Sequence, residues 1–484
     1  MFLPKVQLPR TKSSLTILAL LALALVFRIH PELYIMGGED QGVYVNSGIY
    51  YQEHPQILVP NLVRKKITSV PLRQYYDANN HFVGSYLPGL YFKNHDKNHL
   101  IFQFYKLHPL WFAICAKLFG PSHATASMIW FSLLSILFFS LIVFEISNNY
   151  LCGFVAGTLL ALNPIHIFFS KFPTSEITTQ AFLFSGFYYL IKYYKLATQK
   201  NCYSVFYLLI SGLSIGCAFL SHIDTFIILP WFLFFFLVSL LFAPSILRLQ
   251  LNLYFLGILF LFSLSVFLGL VYSFPYTFGV YWGSINNLGS HAFRLLGLGC
   301  LGYFILLLAA GLFKIPNAKV KNFLIKVHPL LNQILLMLLF IVFFISFWRI
   351  YQLAYSTAAS KEPIIFHFHY IVNHGLSSLL FSTFIATFFY LSPLAMILFL
   401  YALVKPYPME PIFLTGLLIF ALIAWAYSGI LNYTVPYEYF YSRFILSYAI
   451  PITILFISLK IGQSMKKVTD TRTKLRIEEN FQAI

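Results

Sequence analysis

Long apolar stretches separated by short polar connections follow one another along most of the chain. A helix of about 18 to 25 apolar residues is long enough to cross a hydrocarbon core of about 30 Å. Since only helices and closed barrels satisfy the backbone inside lipid, these stretches predict an all-α integral membrane bundle of about twelve transmembrane helices. The candidate spans are 13–29, 122–146, 150–169, 177–197, 203–221, 224–243, 251–274, 291–312, 330–348, 377–403, 411–431 and 443–461.

The composition supports a membrane protein. The chain of 484 residues is 59% hydrophobic and only 10% charged, whereas soluble proteins carry about 25% charged residues. This balance excludes an ordinary soluble domain and a disordered chain. The five cysteines are odd in number and lack metal-ligand spacing, so neither a disulfide scaffold nor a zinc motif is indicated.

The formal charge of +17 reflects topology. With the N-terminus inside, Lys and Arg concentrate in the short inner connections and the tail, as the positive-inside rule requires. Both termini are therefore predicted to be cytoplasmic, and no nucleic-acid partner is expected. The first apolar run lacks a small-residue cleavage site and is interpreted as a retained anchor. We expect a bacterial inner membrane, since no lumenal domain is appended.

Four regions follow from this pattern. Residues 1–29 are the cytoplasmic N-terminus and first transmembrane helix, and 30–121 are a long exoplasmic loop. Segments 40–54 and 108–119 of the loop are predicted to be interfacial helices, because one has helical spacing of apolar residues and the other is too short to span. Residues 122–461 hold helices two to twelve, and 462–484 form a cytoplasmic tail.

Five segments carry a resemblance when they are taken in order. They are MGGEDQGVYVNSGIYY, KLHPLWFAICAKLFGPSHATASM, LNPIHIFFSKFPTSEITTQAFLFSGFYYL, GLSIGCAFLSHIDTFIILP and YEYFYSRFILSYAIP. Together they resemble the motifs of polytopic glycosyltransferases of the GT-C superfamily, in the protein-mannosyltransferase and aminoarabinose-transferase branch. The resemblance covers about residues 14–240 and the last loop and span. It implies a GT-C-like bundle.

The motifs also assign candidate residues. Asp40 falls on the acid of the first motif, but Gln41 replaces the second acid and Glu39 precedes it, so either acid can hold the catalytic position. Three positions depart from the commoner residue types: Lys171 and Glu176 stand where Arg and Asp are frequent, and His222 stands where Lys is. The final candidates are Arg443, on the closing Arg, and Asp224, beside His222.

The resemblance implies transfer of a sugar from a polyprenyl-phosphate donor to a lipid, glycan or protein hydroxyl at the exoplasmic face. The attacking hydroxyl must lose its proton, so Asp40 or Glu39 is the expected general base, and one displacement inverts the anomeric carbon. The leaving phosphate needs cationic donors. Arg443 is the first choice because its planar fork suits phosphate, and Lys171 and His222 follow. Glu176 and Asp224 are expected to orient the acceptor or act as a second acid.

Structural roles compete with these assignments. An arginine at a helix end, such as Arg443, commonly extends its side chain to the membrane interface without a functional role. A glutamate such as Glu176 is favoured at a helix N-terminus by the helix dipole. A divalent metal between Asp40 and Glu176 is compatible with the sequence, which requires none. The outer His367, His369 and His374 include a His-x-His pair, which suits metal binding but more often packs in an aromatic loop.

Two other classes of membrane protein are compatible with the pattern of hydrophobic stretches. A transporter or flippase also has many spans, but such proteins place coupling residues at mid-membrane in repeated architectures. Here the acids lie at predicted helix ends and no internal repeat is visible. A membrane polysaccharide polymerase or ligase typically has its large loop late in the chain, whereas this loop follows the first span.

Overall fold

The computed structural model describes residues 11–35, 40–79, 89–93, 96–197, 204–242, 245–287, 326–327, 329–345, 348, 392–407, 409, 411–427, 443 and 446–482. Within these ranges the chain is mainly helical. The helices are α1 (Thr11–Val26), α2 (Asp40–Glu53), α3 (Leu62–Lys66), α4 (Val70–Asn79), α5 (Leu107–Phe119), α6 (Ser127–Ser147), α7 (Tyr150–Ala161), α8 (Pro164–Lys171), α9 (Glu176–Ala197), α10 (Ser204–Ser221), α11 (Leu229–Phe242), α12 (Ser245–Tyr272), α13 (Phe274–Asn287), α14 (Pro329–Ile345), α15 (Pro393–Val404), α16 (Pro411–Ala426) and α17 (Ala449–Gln482).

Three of the described helical segments are long and apolar enough to cross a membrane: Pro121–Ser147, Ser204–Ser221 and Leu249–Tyr272. A fourth span results if α7 and α8 are counted as one bent helix. The chain is therefore an integral membrane protein. The predicted number of about twelve spans stays a prediction, because 291–312 and most of 377–403 lie outside the described residues.

The long loop after α1 contains strands as well as helices, so the prediction of an all-α chain was incomplete. Strands β1 (Val59–Pro60), β2 (Leu90–Lys93) and β3 (Asp96–Phe102) form an antiparallel sheet in the order β1-β3-β2. Asn61 joins the sheet to α3, since its side chain accepts from the Arg64 amide and donates to the Lys97 carbonyl. These segments show no alternation of polar and apolar residues in the sequence, and their pairing depends on contacts across the loop.

Helices are present at two loop positions where the sequence predicted them, as α2 and α5. They pack closely because Gly48 of α2 lies against α5. A Cβ at this position would be 2.6 Å from the Phe112 Cβ and 2.9 Å from the Pro109 carbonyl oxygen, closer than atoms can pack. The α2–α5 pair therefore depends on glycine at this position. Gly120, with φ of 90°, and Pro121 end α5.

Small residues also bring the membrane helices together, as is common inside lipid. A Cβ at Gly153 of α7 would lie 2.7 Å from the Ser140 carbonyl oxygen of α6. On α9 and α10, the Ser211 hydroxyl donates to the Gly186 carbonyl over 2.7 Å. The α6, α7, α9 and α10 helices thus form a close-packed group.

Charged side chains lie at both ends of α9. At its C-terminal end, Lys192 and Lys195 contact Glu145 of α6, with Nζ–Oε distances of 2.5 and 2.8 Å. Glu176 is the first of its 22 residues, which places it about 33 Å from the other end at 1.5 Å per residue. This distance matches the thickness of a hydrocarbon core. The candidate site lies at the Glu176 end.

Candidate functional site

Asp40 and Arg443 form the centre of the candidate site. Asp40 is the first residue of α2, and Arg443 precedes α17 in the chain. The Arg443 Nη1 donates to the Asp40 Oδ2 over 2.6 Å. The side chains are 15% and 24% exposed, so the ion pair is partly shielded from water and keeps an open side. The two residues that the sequence analysis assigned to base and phosphate binding are thus in contact.

Glu176 joins the same group from the start of α9. Its Oε1 lies 3.6 Å from the Arg443 Nε and 3.5 Å from the His222 Nε2. The side chain is only 2% exposed. Its second oxygen, Oε2, is buried and has no hydrogen-bond partner among the described residues. A buried acceptor of this kind needs a donor, and a bound substrate can supply one.

His222 connects the group to Asp224. Its Nδ1 accepts from the Asp224 backbone amide over 3.1 Å and caps the 3₁₀ helix Ile223–Ile228. A ring nitrogen that accepts carries no proton, so the proton is assigned to Nε2, which faces Glu176. Burial alone lowers the pKa of His222, but the hydrogen bond with Glu176 and the charges of Asp224 and Glu176 outweigh it and raise that pKa.

Four residues that the sequence analysis gave no role hold these elements in place: Tyr44, Ser175, His108 and Thr178. The Tyr44 hydroxyl and the Ser175 Oγ are 2.9 Å apart, which ties α2 to the residue before Glu176. Tyr44 lies four residues after Asp40, so both project from one face of α2. His108 of α5 hydrogen-bonds Thr178 of α9 through Nδ1 over 2.9 Å. The spacing from Asp40 to Tyr44 was a usable signal, whereas nothing in the sequence paired His108 with Thr178.

Other predicted residues are not brought into the group. Lys171 ends α8, where its carbonyl accepts from the Glu32 amide. No described side-chain contact joins Lys171 to Asp40, Glu176 or Arg443, and its role in phosphate binding stays a prediction. The alternative base and the histidines of the predicted outer loop lie outside the described residues: Glu39, His367, His369 and His374.

A metal ion finds no ready set of ligands in the described part of the chain. There, no three His, Cys, Asp or Glu side chains are placed to hold one. Asp40 and Glu176 both contact the Arg443 guanidinium. A divalent metal between these two acids, which the sequence allowed but did not require, would therefore compete with a permanent cation, and their arrangement does not favour it.

The fold was compared with known proteins. No family model matches the chain, and no curated protein matches its sequence. The archaeal oligosaccharyltransferase AglB from Archaeoglobus fulgidus, solved with an inhibitory peptide and a dolichol-phosphate, superposes with a TM-score of 0.53 at 16% identity. The match covers 97% of this chain and 52% of AglB, so the chain spans about half the length of that protein.

A second structure is more distant. ArnT from Cupriavidus metallidurans gives a TM-score of 0.38 at 14% identity, covering 93% of this chain and 78% of ArnT. AglB and ArnT are both GT-C superfamily glycosyltransferases. The resemblance predicted from the motifs is confirmed at the level of the fold, which is similar to that of AglB.

Proposed function

We propose that the chain is a membrane glycosyltransferase that moves a sugar from a polyprenyl-phosphate donor to an acceptor hydroxyl at the exoplasmic face. The ion pair between Asp40 and Arg443 carries this proposal, since it places a carboxylate beside a permanent cation in a GT-C fold. AglB was solved with a dolichol-phosphate, which is a polyprenyl phosphate. That ligand supports a lipid-phosphate donor for this chain.

The reaction needs one base and one charge-stabilising group. The acceptor oxygen bonds to the anomeric carbon while the bond from that carbon to the phosphate oxygen breaks. The leaving electron pair stays on the phosphate, and the hydroxyl proton passes to a carboxylate. We assign that carboxylate to Asp40. A single displacement of this kind inverts the anomeric configuration.

Arg443 binds the donor phosphate in this proposal. Its planar guanidinium suits two phosphate oxygens, and one of its nitrogens, Nη1, is now bound to Asp40. A carboxylate beside a guanidinium is a weakened base, because the positive charge favours its ionised form. When the donor phosphate replaces Asp40 at Nη1, Asp40 becomes the stronger base. Donor binding thus prepares the proton acceptor.

The remaining groups orient the substrates. Glu176 offers its buried Oε2 as an acceptor for a substrate hydroxyl. His222 donates toward Glu176 through Nε2 and keeps that carboxylate in place. Asp224 follows His222 and serves as a second orienting acid for the acceptor. The acceptor itself is a lipid, glycan or protein hydroxyl, and the site faces the outside of a bacterial inner membrane.

The test uses purified protein in detergent with a panel of polyprenyl-phosphate sugars and candidate acceptors. The wild type and Glu53→Gln, an exposed acid on the same helix, are expected to transfer sugar. Asp40→Asn is expected to lose about 100-fold or more in rate, the usual contribution of a general base. Equal turnover by Asp40→Asn removes Asp40 from the mechanism. Absence of transfer together with solute flux in proteoliposomes favours a transporter.

A further inference from the structure

Arg28, two residues beyond α1, is a fully buried cation outside the candidate site. Its side chain is 0% exposed. The Nη1 donates to the Ala24 carbonyl and the Nη2 to the Ala161 carbonyl, each over 2.9 Å. Ala24 lies in the last turn of α1 and Ala161 ends α7. The carbonyl ends of helices carry partial negative charge. The C-termini of α1 and α7 therefore compensate the positive charge of the buried guanidinium.

Arg28 is also the first donor in a series of hydrogen bonds that runs through His166 and Gln180 to the Leu446 carbonyl. Arg28 Nη2 lies 2.9 Å from the His166 Nδ1. Since arginine can only donate, the His166 Nδ1 is the acceptor, and the proton of the His166 ring is assigned to Nε2. That nitrogen is 3.0 Å from the Gln180 Oε1. Gln180 therefore accepts at its oxygen, and its Nε2 donates to the Leu446 carbonyl over 3.1 Å.

The chain of hydrogen bonds ends beside the site. Leu446 lies three residues after Arg443, and Gln180 lies four residues after Glu176 on α9. Positions four apart share one face of a helix. This face therefore contacts both Arg443 and Leu446: Glu176 lies 3.6 Å from the Arg443 guanidinium, and Gln180 donates to the Leu446 carbonyl.

We propose that Arg28, His166 and Gln180 are positioning residues that fix Arg443 for the donor phosphate by holding the Leu446 carbonyl. This inference rests on the proposed function. None of the three is assigned a contact with substrate. Leu446 is three residues from Arg443 in the sequence, so the effect of these positioning residues is expected in donor binding and not in acceptor binding.

The test measures the Kd of undecaprenyl phosphate for the full chain in detergent. Gln180→Met keeps the length of the side chain and removes the donor to Leu446. It is expected to weaken binding about tenfold, the effect of one hydrogen bond, and to raise the donor KM with an unchanged acceptor KM. Arg28→Met is a second variant and is expected to act in the same direction.

The matched control is Tyr193→Phe. It removes the hydrogen bond from the Tyr193 hydroxyl to the Gln250 Oε1, 2.8 Å long, at the other end of α9. This variant is expected to bind undecaprenyl phosphate like the wild type. A folded Gln180→Met protein with wild-type affinity, or an equal loss in Tyr193→Phe, overturns the proposal.

A second measurement separates this inference from the proposed function. Phenylglyoxal modifies accessible arginines, and mass spectrometry reports its reaction at Arg443 without any lipid. Gln180→Met is expected to speed this reaction, and equal rates in variant and wild type overturn the positioning role. If the wild type binds no undecaprenyl phosphate, the donor assignment fails while the phenylglyoxal result still decides whether Gln180 positions Arg443.

Discussion

Asp40 and Arg443 are 403 positions apart in the sequence and form an ion pair of 2.6 Å. The pair joins the start of α2 to the segment before α17, so both ends of the chain build one site. Arg443 also lies 3.6 Å from Glu176, which puts one cation between two acids. In the proposed reaction, the donor phosphate adds a further anion at this point. Phosphate binding must therefore depend on how the N–H donors of Arg443 are shared among Asp40, Glu176 and the phosphate.

Arg443→Lys tests that dependence. Lysine keeps the charge but loses the planar fork, so it cannot serve phosphate and carboxylate with separate nitrogens. We expect the donor KM to rise about tenfold or more, the effect of losing one charge-assisted hydrogen bond. Steady-state kinetics with varied donor measures this change.

The control for that variant is Arg73→Lys. Arg73 donates to the Ile67 carbonyl within the loop and has no place in the site. The same chemical change is expected to leave the donor KM as in the wild type. An unchanged KM in Arg443→Lys contradicts the role of the guanidinium in phosphate binding.

The stability of the protein should depend on pH through His222. Its pKa is raised in the folded protein above 6.5, against the effect of burial, by Glu176 and Asp224. The folded state therefore binds the proton more tightly than the unfolded state. The resulting stabilisation is complete below about pH 6.5 and is lost as pH rises through the folded pKa.

Thermal unfolding in detergent between about pH 6 and pH 8 tests whether stability falls as pH rises, since that range contains the usual histidine pKa. The matched variant is His222→Asn, whose side chain can still cap the 3₁₀ helix but does not titrate. We expect the Tm of the wild type to fall more over this range than that of the variant. Parallel pH profiles for the two proteins exclude His222 as the titrating group.

The sequence predicted much of the site because its residues sit in ordered motifs. Asp40, Glu176, His222 and Arg443 were each chosen from a motif position, and they are in contact or joined through a shared carboxylate. The same motif order predicted the likeness of the fold to that of AglB. These signals are local in sequence, which is why they were visible.

Contacts between distant segments were not predictable in the same way. In the sheet of the long loop, β1 and β2 have only two and four residues, and the seven residues of β3 do not alternate between polar and apolar. The direction of hydrogen bonds from Arg28 to Leu446 depends on how four helices pack. Lys171 is a different case: it matched a motif position, its described contacts do not join the site, and its role in phosphate binding stays a prediction. A residue type at a motif position does not fix the direction of its side chain.

The stability of the long loop should depend on Asp77. The Arg64 Nε and Nη2 donate to its two carboxylate oxygens over 2.9 and 3.1 Å, and Lys97 lies 3.3 Å away. The hydrogen bond from Arg64, followed by that from Lys97, lowers the pKa of Asp77 despite partial burial. Its stabilising effect is therefore present at neutral pH and lost as pH falls through that lowered pKa.

Asp77→Asn is expected to speed limited proteolysis of the loop about tenfold, because one charge-assisted contact between α3 and α4 is lost. Gel electrophoresis after brief protease treatment at neutral pH measures the rate. Glu53→Gln serves as the control, since it neutralises an exposed acid at the end of α2. If both variants are cleaved like the wild type, the ion pair does not hold the loop.

The orientation in the membrane gives the final prediction. The site and the Glu145–Lys192–Lys195 cluster lie at opposite ends of α9, and the positive-inside rule assigns the lysine end to the cytoplasm. Single cysteines in a cysteine-free background test this assignment with a membrane-impermeant thiol reagent. Exposed positions at the two ends are Gln56, in the long loop, and Ser464, in α17. Gln56→Cys is expected to react in intact cells, and Ser464→Cys only after the membrane is permeabilised. The reverse pattern places the site in the cytoplasm, where a donor presented at the outer leaflet cannot reach Asp40 and Arg443.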